Sequence, residues 1–197
     1  MLFRSLYLDP LFRGSYPRDV MVDLGPDSRL AKVIQDGDLE LISSPVDLLA
    51  VQYYCPIYVA ADGSTVERWP TSQAFWQQIY PDGMFDILTR VTREYGSVPI
   101  SITENGLPCF DELGPEDTVD DVARVTFLRD HFEAAHRAIE SGVPLESYHV
   151  WSLLDNFEWQ QGYAERWGLV YVDYASQRRI LKRSARWYRD VIARNGI

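Results

Sequence analysis

The chain has 197 residues, of which 46% are hydrophobic and 24% are charged, and its formal net charge is -10. This composition is typical of a globular protein with a sizeable core. The acidic balance excludes a predominantly basic surface, so we expect neither nucleic acid nor an anionic membrane surface as a partner.

The residues that usually bind metals are spread along the chain. Cys55 and Cys109 form no Cys-x-x-Cys pair, and the three histidines have no zinc-type ligand spacing around them. We therefore expect two reduced thiols, no metal and no other cofactor. The first residues lack the pattern of a secretory signal, and no later segment is as long and apolar as a membrane span, so we expect a cytoplasmic protein.

Short helical patterns separated by turn residues fill the first part of the chain. Apolar residues at helical spacing over residues 2–7 predict a helix that Asp9-Pro10 ends. Two more short helices are predicted at residues 19–24 and 28–35, the second capped by Asp27 or Ser28.

A strand that ends in a carboxylate is predicted shortly after the middle of the chain. Val98, Ile100 and Ile102 alternate with small or polar residues, and Glu104 follows with an Asn-Gly turn signal directly behind it. Barrels and doubly wound sheets place their chemistry at this end of a strand. From these residues alone, Glu104 is either a catalytic carboxylate or a polar side chain where a buried strand meets solvent.

Two further segments have the character of strands. Residues 46–54 are apolar nearly throughout, which is typical of a parallel strand covered on both faces. Their polar end, with Gln52, Tyr53 and Tyr54, is expected at the C-terminal edge of the sheet. Residues 147–154 form the third apolar segment and end in a run of polar and aromatic residues.

Two amphipathic helices connect the predicted strands. The first begins at Met84 or Phe85 and ends at Tyr95, where Gly96 provides the stop. The second, over residues 119–141, is the clearest helix of the chain. Its apolar stripe is Val122, Val125, Leu128, Phe132, Ala135 and Ile139.

Polar residues on the later helices are expected to be ordinary surface groups. His131 and His136 lie among charged residues, so we expect both on the surface rather than in catalysis. A short strand at residues 169–172 precedes a basic helix that ends the chain. The solvated face of this last helix is predicted to consist of Lys182, Arg183, Arg186 and Arg189.

Strands and helices alternate along the chain, which predicts an α/β fold with a parallel sheet and right-handed crossovers. Because each strand carries polar or carboxylate side chains at its C-terminal end, a barrel segment is favoured over a free-standing domain. Aromatic residues make up 13% of the chain, with six Trp and twelve Tyr. Such residues often line sites for flat, hydroxyl-rich ligands, although cores and interfaces use them too.

Several motifs together resemble glycoside hydrolase family 1, the retaining β-glucosidases and β-galactosidases on a (β/α)8 barrel. They are Ile-Thr-Glu-Asn-Gly at 102–106, Trp-Ser-Leu-Leu-Asp-Asn-Phe-Glu-Trp at 151–159 and Arg-Trp-Gly-Leu-Val-Tyr-Val-Asp at 166–173. Earlier, Asp-Pro-Leu-Phe-Arg-Gly at 9–14 and Asp-Leu-Glu-Leu-Ile at 38–42 are similar to family segments. The resemblance covers essentially the whole chain.

The resemblance implies two catalytic roles. Glu104 would attack the anomeric carbon and form a glycosyl-enzyme intermediate, and Tyr54 would donate a hydrogen bond that keeps this carboxylate ionised and oriented. Both residues match family positions, and a carboxylate suits the work because it is also a good leaving group in the second step.

The resemblance also implies a sugar-binding pocket. Trp151 would be the platform beneath the non-reducing sugar, Glu158 and Trp159 would bind its hydroxyl groups, and Trp76 and Trp167 would form the pocket wall. The alternative for these tryptophans is core packing. A buried carboxylate at Glu158 would repel a phosphate dianion, so an unphosphorylated β-glucoside or related small glycoside is the expected ligand.

Two departures from the family limit this interpretation. Gln52 stands where the family normally carries Asn, and the extra methylene changes the pocket. Retaining hydrolysis also needs an acid/base carboxyl roughly 5–5.5 Å from the nucleophile. In the family that carboxyl lies in a Thr-x-Asn-Glu-Pro motif, and the printed chain has no Asn-Glu pair.

We therefore interpret residues 1–197 as a single partial TIM-barrel domain. It would be the C-terminal portion of a (β/α)8 barrel, an incomplete barrel with about the last three strands and their helices. Three functions follow as hypotheses: a β-glucosidase-type chain with little activity of its own, a non-catalytic partial barrel that self-associates or pairs with an N-terminal barrel fragment, and a sugar-binding remnant.

Overall fold

A computed structural model describes residues 2–74 and 76–197, with the side chains of residues 2–5 outside the description. In these ranges the α-helices are α1 (Leu2–Arg13), α2 (Arg18–Leu24), α3 (Arg29–Val33), α4 (Asp38–Ile42), α5 (Asp82–Tyr95), α6 (Val122–Glu140) and α7 (Arg183–Arg194). The β-strands are β1 (Leu49–Gln52), β2 (Tyr58–Val59), β3 (Thr65–Val66), β4 (Ile100–Glu104), β5 (Leu145–Tyr148), β6 (Val170–Val172) and β7 (Arg179–Leu181).

The main sheet has β4 in the centre, parallel to β1 on one side and to β5 on the other. The crossover helices α5 and α6 pack against each other and against the sheet. Their buried side chains form the main core together with Ile100 and Ile102 of β4. The predicted α/β alternation with three parallel strands is confirmed, and so is the helix that Gly96 terminates.

Two predicted strands are shorter than expected. The first of them, β1, was also expected to be buried on both faces. Its Ala50 and Gln52 are exposed because this strand lies at the edge of the sheet, and burial on both faces is seen instead for the first three residues of the central strand β4. β5 ends at Tyr148 rather than at residue 154. Past that point His149 and Trp151 each donate one backbone hydrogen bond to the β4 segment, and Leu154 then makes an isolated bridge with Val170.

The predicted stop at Asp9-Pro10 is wrong, because α1 continues through Pro10 to Arg13. The carboxylate of Asp9 accepts a 2.7 Å hydrogen bond from the hydroxyl of Tyr95 and lies 3.3 Å from the guanidinium of Arg13. These contacts stabilise the helical turn around Pro10. The helix therefore tolerates the loss of the one backbone hydrogen bond that proline cannot make. The prediction of α3 is confirmed in a shorter form, with Ser28 as its N-cap.

The buried face of α6 differs from the predicted apolar stripe. Val122 and Ile139 are exposed, while Arg124 and His131 are fully buried. The prediction of a surface histidine is therefore wrong for His131, whose ring stacks on Phe127 at 3.8 Å between centroids. It is confirmed for His136, which is exposed.

The solvated basic face predicted for the last helix is confirmed for Arg183, Arg186 and Arg189. It is wrong for Lys182, whose side chain is fully buried. The Lys182 ammonium group donates to the carboxylates of Asp111 and Asp155, both at 2.6 Å, which explains how the charge is accommodated.

Among the described residues, no helix is long and apolar enough to cross a membrane.

Candidate active site

The carboxyl ends of β1 and β4 bring a tyrosine and a glutamate together. Val51 pairs with Ile102, but Gln52 pairs with Glu104, so the register shifts by one residue just before the carboxylate. The chain then continues from β1 to Tyr54, whose hydroxyl donates a 2.8 Å hydrogen bond to Glu104 Oε2. The expected contact between these two side chains is present.

The Asn-Gly pair behind Glu104 lies where β4 ends and packs against the segment that follows β5. The backbone N–H of Trp151 donates to the carbonyl of Asn105 at 2.9 Å, so the segment after β5 lies directly against this pair. A Cβ atom on Gly106 would lie 2.0 Å from the carbonyl oxygen of Trp151. Glycine is required here because the backbone of the tryptophan segment approaches so closely.

Seven side chains line a pocket of about 240 Å³ at this end of the sheet: Tyr54, Trp76, Glu104, Trp151, Glu158, Trp159 and Trp167. The indole N–H of Trp151 donates to Glu158 Oε2 at 3.3 Å. The ring of Trp167 meets Tyr54 edge-on at 5.5 Å and stacks against Trp76 at 6.1 Å. Aromatic walls beside carboxylates can bind the apolar faces and the hydroxyl groups of a sugar at the same time.

The electrostatics of the pocket favour a neutral or cationic ligand over an anion. Of the lining residues in the described part of the chain, none carries a positive charge. Burial raises the pKa of Glu158, and the negative charges of Glu165 and Glu104 act in the same direction, whereas the indole N–H of Trp151 opposes them. Burial also raises the pKa of Tyr54, and the neighbouring carboxylate of Glu104 raises it further, so this phenol remains a hydrogen-bond donor.

The predicted site residues differ in how far they face the pocket. Trp159 is 78% exposed and Trp76 is 45% exposed, so both stand at its open side. Trp167 is only 3% exposed and forms the inner wall. Gln52 is exposed opposite Glu104 in the sheet but is not among the side chains that line the pocket.

Three polar residues around the pocket were not predicted from the sequence. Gln77 and Asn105 are fully buried and bond to the backbone beside Tyr54 and Glu104. Glu165 accepts a 3.2 Å hydrogen bond from the indole N–H of Trp167. The available signal was the pair of polar residues Gln77 and Gln78 between Trp76 and Ile79.

A buried ionic cluster supports the pocket from behind. Asp155 accepts hydrogen bonds from Lys182, Arg166 and the backbone N–H of Gly168, at 2.6, 2.6 and 3.0 Å. Arg124 donates to the carbonyl oxygens of Leu107 and Arg166, at 3.0 and 2.7 Å. The cluster therefore joins the segment after Glu104 to the segment that carries Trp167.

Carboxylates and tryptophans at the carboxyl ends of parallel strands are typical of carbohydrate-active enzymes built on α/β barrels. The model of Glycosyl hydrolase family 1 matches residues 1–197, and the chain belongs to that family. The resemblance noted in the sequence is thereby confirmed.

The chain is similar to curated β-glucosidases. It is 43% identical to thermostable beta-glucosidase B of Thermobispora bispora, covering 97% of this chain and 42% of the relative. It is 41% identical to the 1,4-beta-D-glucan glucohydrolase of Thermotoga neapolitana, covering 98% of this chain and 44% of the relative. The chain therefore spans less than half the length of these relatives.

A similar solved structure is matched over the same share of its own length. The beta-glucosidase from Thermotoga maritima in complex with isofagomine lactam is 38% identical, with a TM-score of 0.89. The match covers 98% of this chain and 44% of that chain. A partial barrel fits this coverage together with the three parallel strands.

Proposed function

We propose that the chain is the C-terminal portion of a retaining β-glycosidase, a single partial TIM-barrel domain in which Glu104 is the nucleophile. The observation that carries the proposal is the hydrogen bond from Tyr54 to Glu104 inside a tryptophan-lined pocket. A tyrosine donor orients one carboxylate oxygen of the nucleophile. Tyr54 is therefore proposed as the residue that orients the nucleophile.

In the proposed first step, a carboxylate oxygen of Glu104 attacks the anomeric carbon from the side opposite the leaving oxygen. The bond from the anomeric carbon to that oxygen breaks, and its electron pair leaves with the oxygen. A covalent glycosyl-enzyme ester results, and water then releases the sugar with overall retention of configuration. A carboxylate is suited to both steps because it is a competent nucleophile and a good leaving group.

The sugar of a β-glucoside or related small glycoside would lie against Trp151. We assign its hydroxyl groups to Glu158 and Trp159, and the surrounding wall to Trp76 and Trp167, with Gln52 at the rim. Three carboxylates in or beside the pocket repel phosphate, so the proposed sugar is unphosphorylated.

The acid/base carboxyl is proposed to come from outside these residues. The chain has no Asn-Glu pair of the kind that carries this group in the family, and it spans 42–44% of the relatives named above. Without protonation of the leaving oxygen the rate falls by a factor of roughly 10² to 10⁴. We therefore expect little hydrolysis of ordinary glycosides by this polypeptide alone.

The test is covalent labelling of the 197-residue chain with an activated fluoroglucoside. This reagent is a β-glucoside with a dinitrophenolate leaving group and with fluorine in place of the hydroxyl next to the anomeric carbon. The leaving group departs without a proton, so no acid catalyst is needed, and the fluorine slows release of the sugar from the enzyme. Mass spectrometry should find one fluoroglucosyl group on the peptide that contains Glu104.

Glu104→Gln is the negative control and should abolish labelling. Glu146→Gln is the matched control, because Glu146 is exposed on β5 and does not line the pocket. Labelling of another residue, or none at concentrations of reagent that saturate a whole family member, would overturn the proposed role of Glu104.

A second candidate role is association with another chain, and the open ends of the sheet favour it. Within the residues that the structure describes, β1 and β5 each have one unpaired edge. A groove of about 580 Å³ runs beside β5 between α6 and α7, and Ile139, Ile192 and Ile197 on its wall are exposed. Unpaired strand edges and exposed apolar side chains promote pairing with another polypeptide.

Sedimentation velocity distinguishes self-association from pairing with an N-terminal barrel fragment. Concentration-dependent oligomers that Ile139→Glu weakens would support self-association. A monomer that becomes a heterodimer, and gains glycosidase turnover, when the N-terminal half of a relative is added would support an N-terminal partner. A monomer at every concentration that binds no such fragment contradicts both.

A further inference from the structure

Gln77 lies beside the ends of the two strands that lead to Tyr54 and Glu104. Its side chain is fully buried, and it follows Trp76 directly in the chain. Its backbone is held on both sides, because Gln77 N–H donates to the carbonyl of Ala74 and Ser72 N–H donates to the carbonyl of Gln77, both at 2.9 Å. The position of its carboxamide is therefore well defined.

The Gln77 side chain bonds to the backbone next to both members of the Tyr54–Glu104 pair. Its Nε2 group donates to the carbonyl of Gly106 at 2.8 Å and lies 3.4 Å from the carbonyl of Tyr54. Because both partners are acceptors, the NH2 end must face them. The Oε1 atom is buried and has no partner within residues 2–74 and 76–197.

Gln77 acts where the sheet itself no longer connects the strands. The backbone contact between them ends with the N–H of Tyr53 donating to the carbonyl of Glu104 at 3.1 Å. Beyond it, Asn105 Nδ2 donates to the carbonyl of Tyr53 at 2.6 Å, and Gln77 continues the link one residue further. Side-chain hydrogen bonds therefore extend the link between the Tyr53–Tyr54 segment and the Glu104 segment beyond the last backbone bond.

We propose that Gln77 is a positioning residue that sets the geometry of the Tyr54–Glu104 hydrogen bond by tying together the two strand ends that carry these residues. The inference rests on the proposed role of Glu104 for its catalytic meaning. A buried amide oxygen with no partner among the described residues costs stability, and the two hydrogen bonds of the NH2 end offset that cost.

The chain contains a matched control beside Gln77. Gln78 is also buried, but its Oε1 accepts from the backbone N–H groups of Arg68 and Trp69, at 2.7 and 3.1 Å. These bonds hold a different segment and touch neither Tyr54 nor Glu104. Gln77→Met and Gln78→Met remove comparable buried amides from adjacent positions while keeping a similar side-chain length.

The experiment measures proton exchange at the hydroxyl of Tyr54 in the full chain with isotope-labelled tyrosine. The signal is assigned by its loss in Tyr54→Phe. A hydroxyl that is held in a hydrogen bond to a carboxylate exchanges with water more slowly than a hydroxyl without such a partner. We expect exchange at Tyr54 to be at least about tenfold faster in Gln77→Met and unchanged within about twofold in Gln78→Met.

Labelling by the fluoroglucoside is the second readout, with an expected loss of about tenfold for Gln77→Met and little change for Gln78→Met. If the parent chain is not labelled at all, the proposed function fails, while the exchange comparison still decides the role of Gln77. If Gln77→Met does not fold, Gln77→Asn replaces it, since a shorter amide cannot reach both carbonyls. Slow exchange at Tyr54 in a folded Gln77 variant would overturn the proposal.

Discussion

The hydroxyl of Tyr54 donates a 2.8 Å hydrogen bond to the carboxylate of Glu104, although fifty positions separate the two residues in the chain. The donor follows one parallel strand and the acceptor ends its neighbour, so the sheet itself brings them together. A hydrogen bond to an ionised acceptor is stronger than one between neutral groups. This pair is therefore both a link between strands and the centre of the proposed chemistry.

We expect Tyr54→Phe to slow labelling of Glu104 by the fluoroglucoside by at least about tenfold. A hydrogen bond to a charged group contributes about 1.5–3 kcal/mol, and each 1.4 kcal/mol corresponds to about tenfold in rate. Tyr7→Phe, at an exposed tyrosine of α1, is the control and should label like the parent chain. Equal rates in all three proteins would show that this hydrogen bond does not assist the nucleophile.

Glu158 should discriminate against phosphorylated sugars. A second fluoroglucoside with a phosphate on its primary hydroxyl should label Glu104 at least about tenfold more slowly than the neutral reagent, because carboxylates in the pocket repel the phosphate. Glu158→Gln should bring the two labelling rates closer together, whereas Glu146→Gln should leave their ratio unchanged. A phosphorylated reagent that labels the parent chain as fast as the neutral one would refute this basis for substrate choice.

The sequence was sufficient to predict the parts of the fold and site that depend on local pattern. Alternation of apolar residues predicts β4, and the polar end of the strand predicts that Glu104 faces the site. The Asn-Gly signal correctly predicts where β4 ends, but the turn itself is wrong, because residues 105–108 form no turn. The strand prediction succeeds because strand periodicity is a property of neighbouring residues.

Burial of polar residues could not be predicted in the same way. Lys182 and His131 have the appearance of surface residues in the sequence, yet both are fully buried. Their partners include Asp111 and Asp155 for the lysine and the carbonyl of Phe127 for the histidine. Burial of such groups depends on partners from other segments, which a periodic pattern on one helix does not reveal.

His131 should make the chain less stable in mild acid. Burial lowers the pKa of His131 from 6.5 to about 4, and its hydrogen bond with the carbonyl of Phe127 opposes only part of this shift. Between these two values the unfolded chain binds a proton that the folded chain does not, so stability is lost as the pH falls from about 6.5 to about 4. At about pH 5 the expected loss is about 2 kcal/mol relative to neutral pH.

Urea denaturation at neutral pH and at about pH 5 measures this loss. His131→Phe keeps a flat ring against Phe127 and should reduce the difference between the two pH values by about 2 kcal/mol. His136→Asn, at an exposed position on the same helix, should keep the difference seen in the parent chain. A difference that persists in His131→Phe would assign the acid sensitivity to other groups.

Adjacent basic residues at the start of α7 should differ sharply in their contribution to stability. Lys182 is buried between Asp111 and Asp155, whereas Arg183 pairs at 2.9 Å with Asp120 on the surface. Lys182→Met leaves two buried carboxylates without this partner, and removing one member of a buried ion pair costs about 3–5 kcal/mol. Arg183→Met removes an exposed pair and should cost at most about 1 kcal/mol.

Free energies of unfolding for the two variants, measured side by side, test this prediction. Lys182→Met should also slow labelling of Glu104, because Asp155 accepts from the N–H of Gly168 and so holds the segment that carries Trp167. Arg183→Met should label at the parent rate. Similar losses of stability in both variants would mean that the buried cluster relaxes around the missing charge and does not brace the pocket.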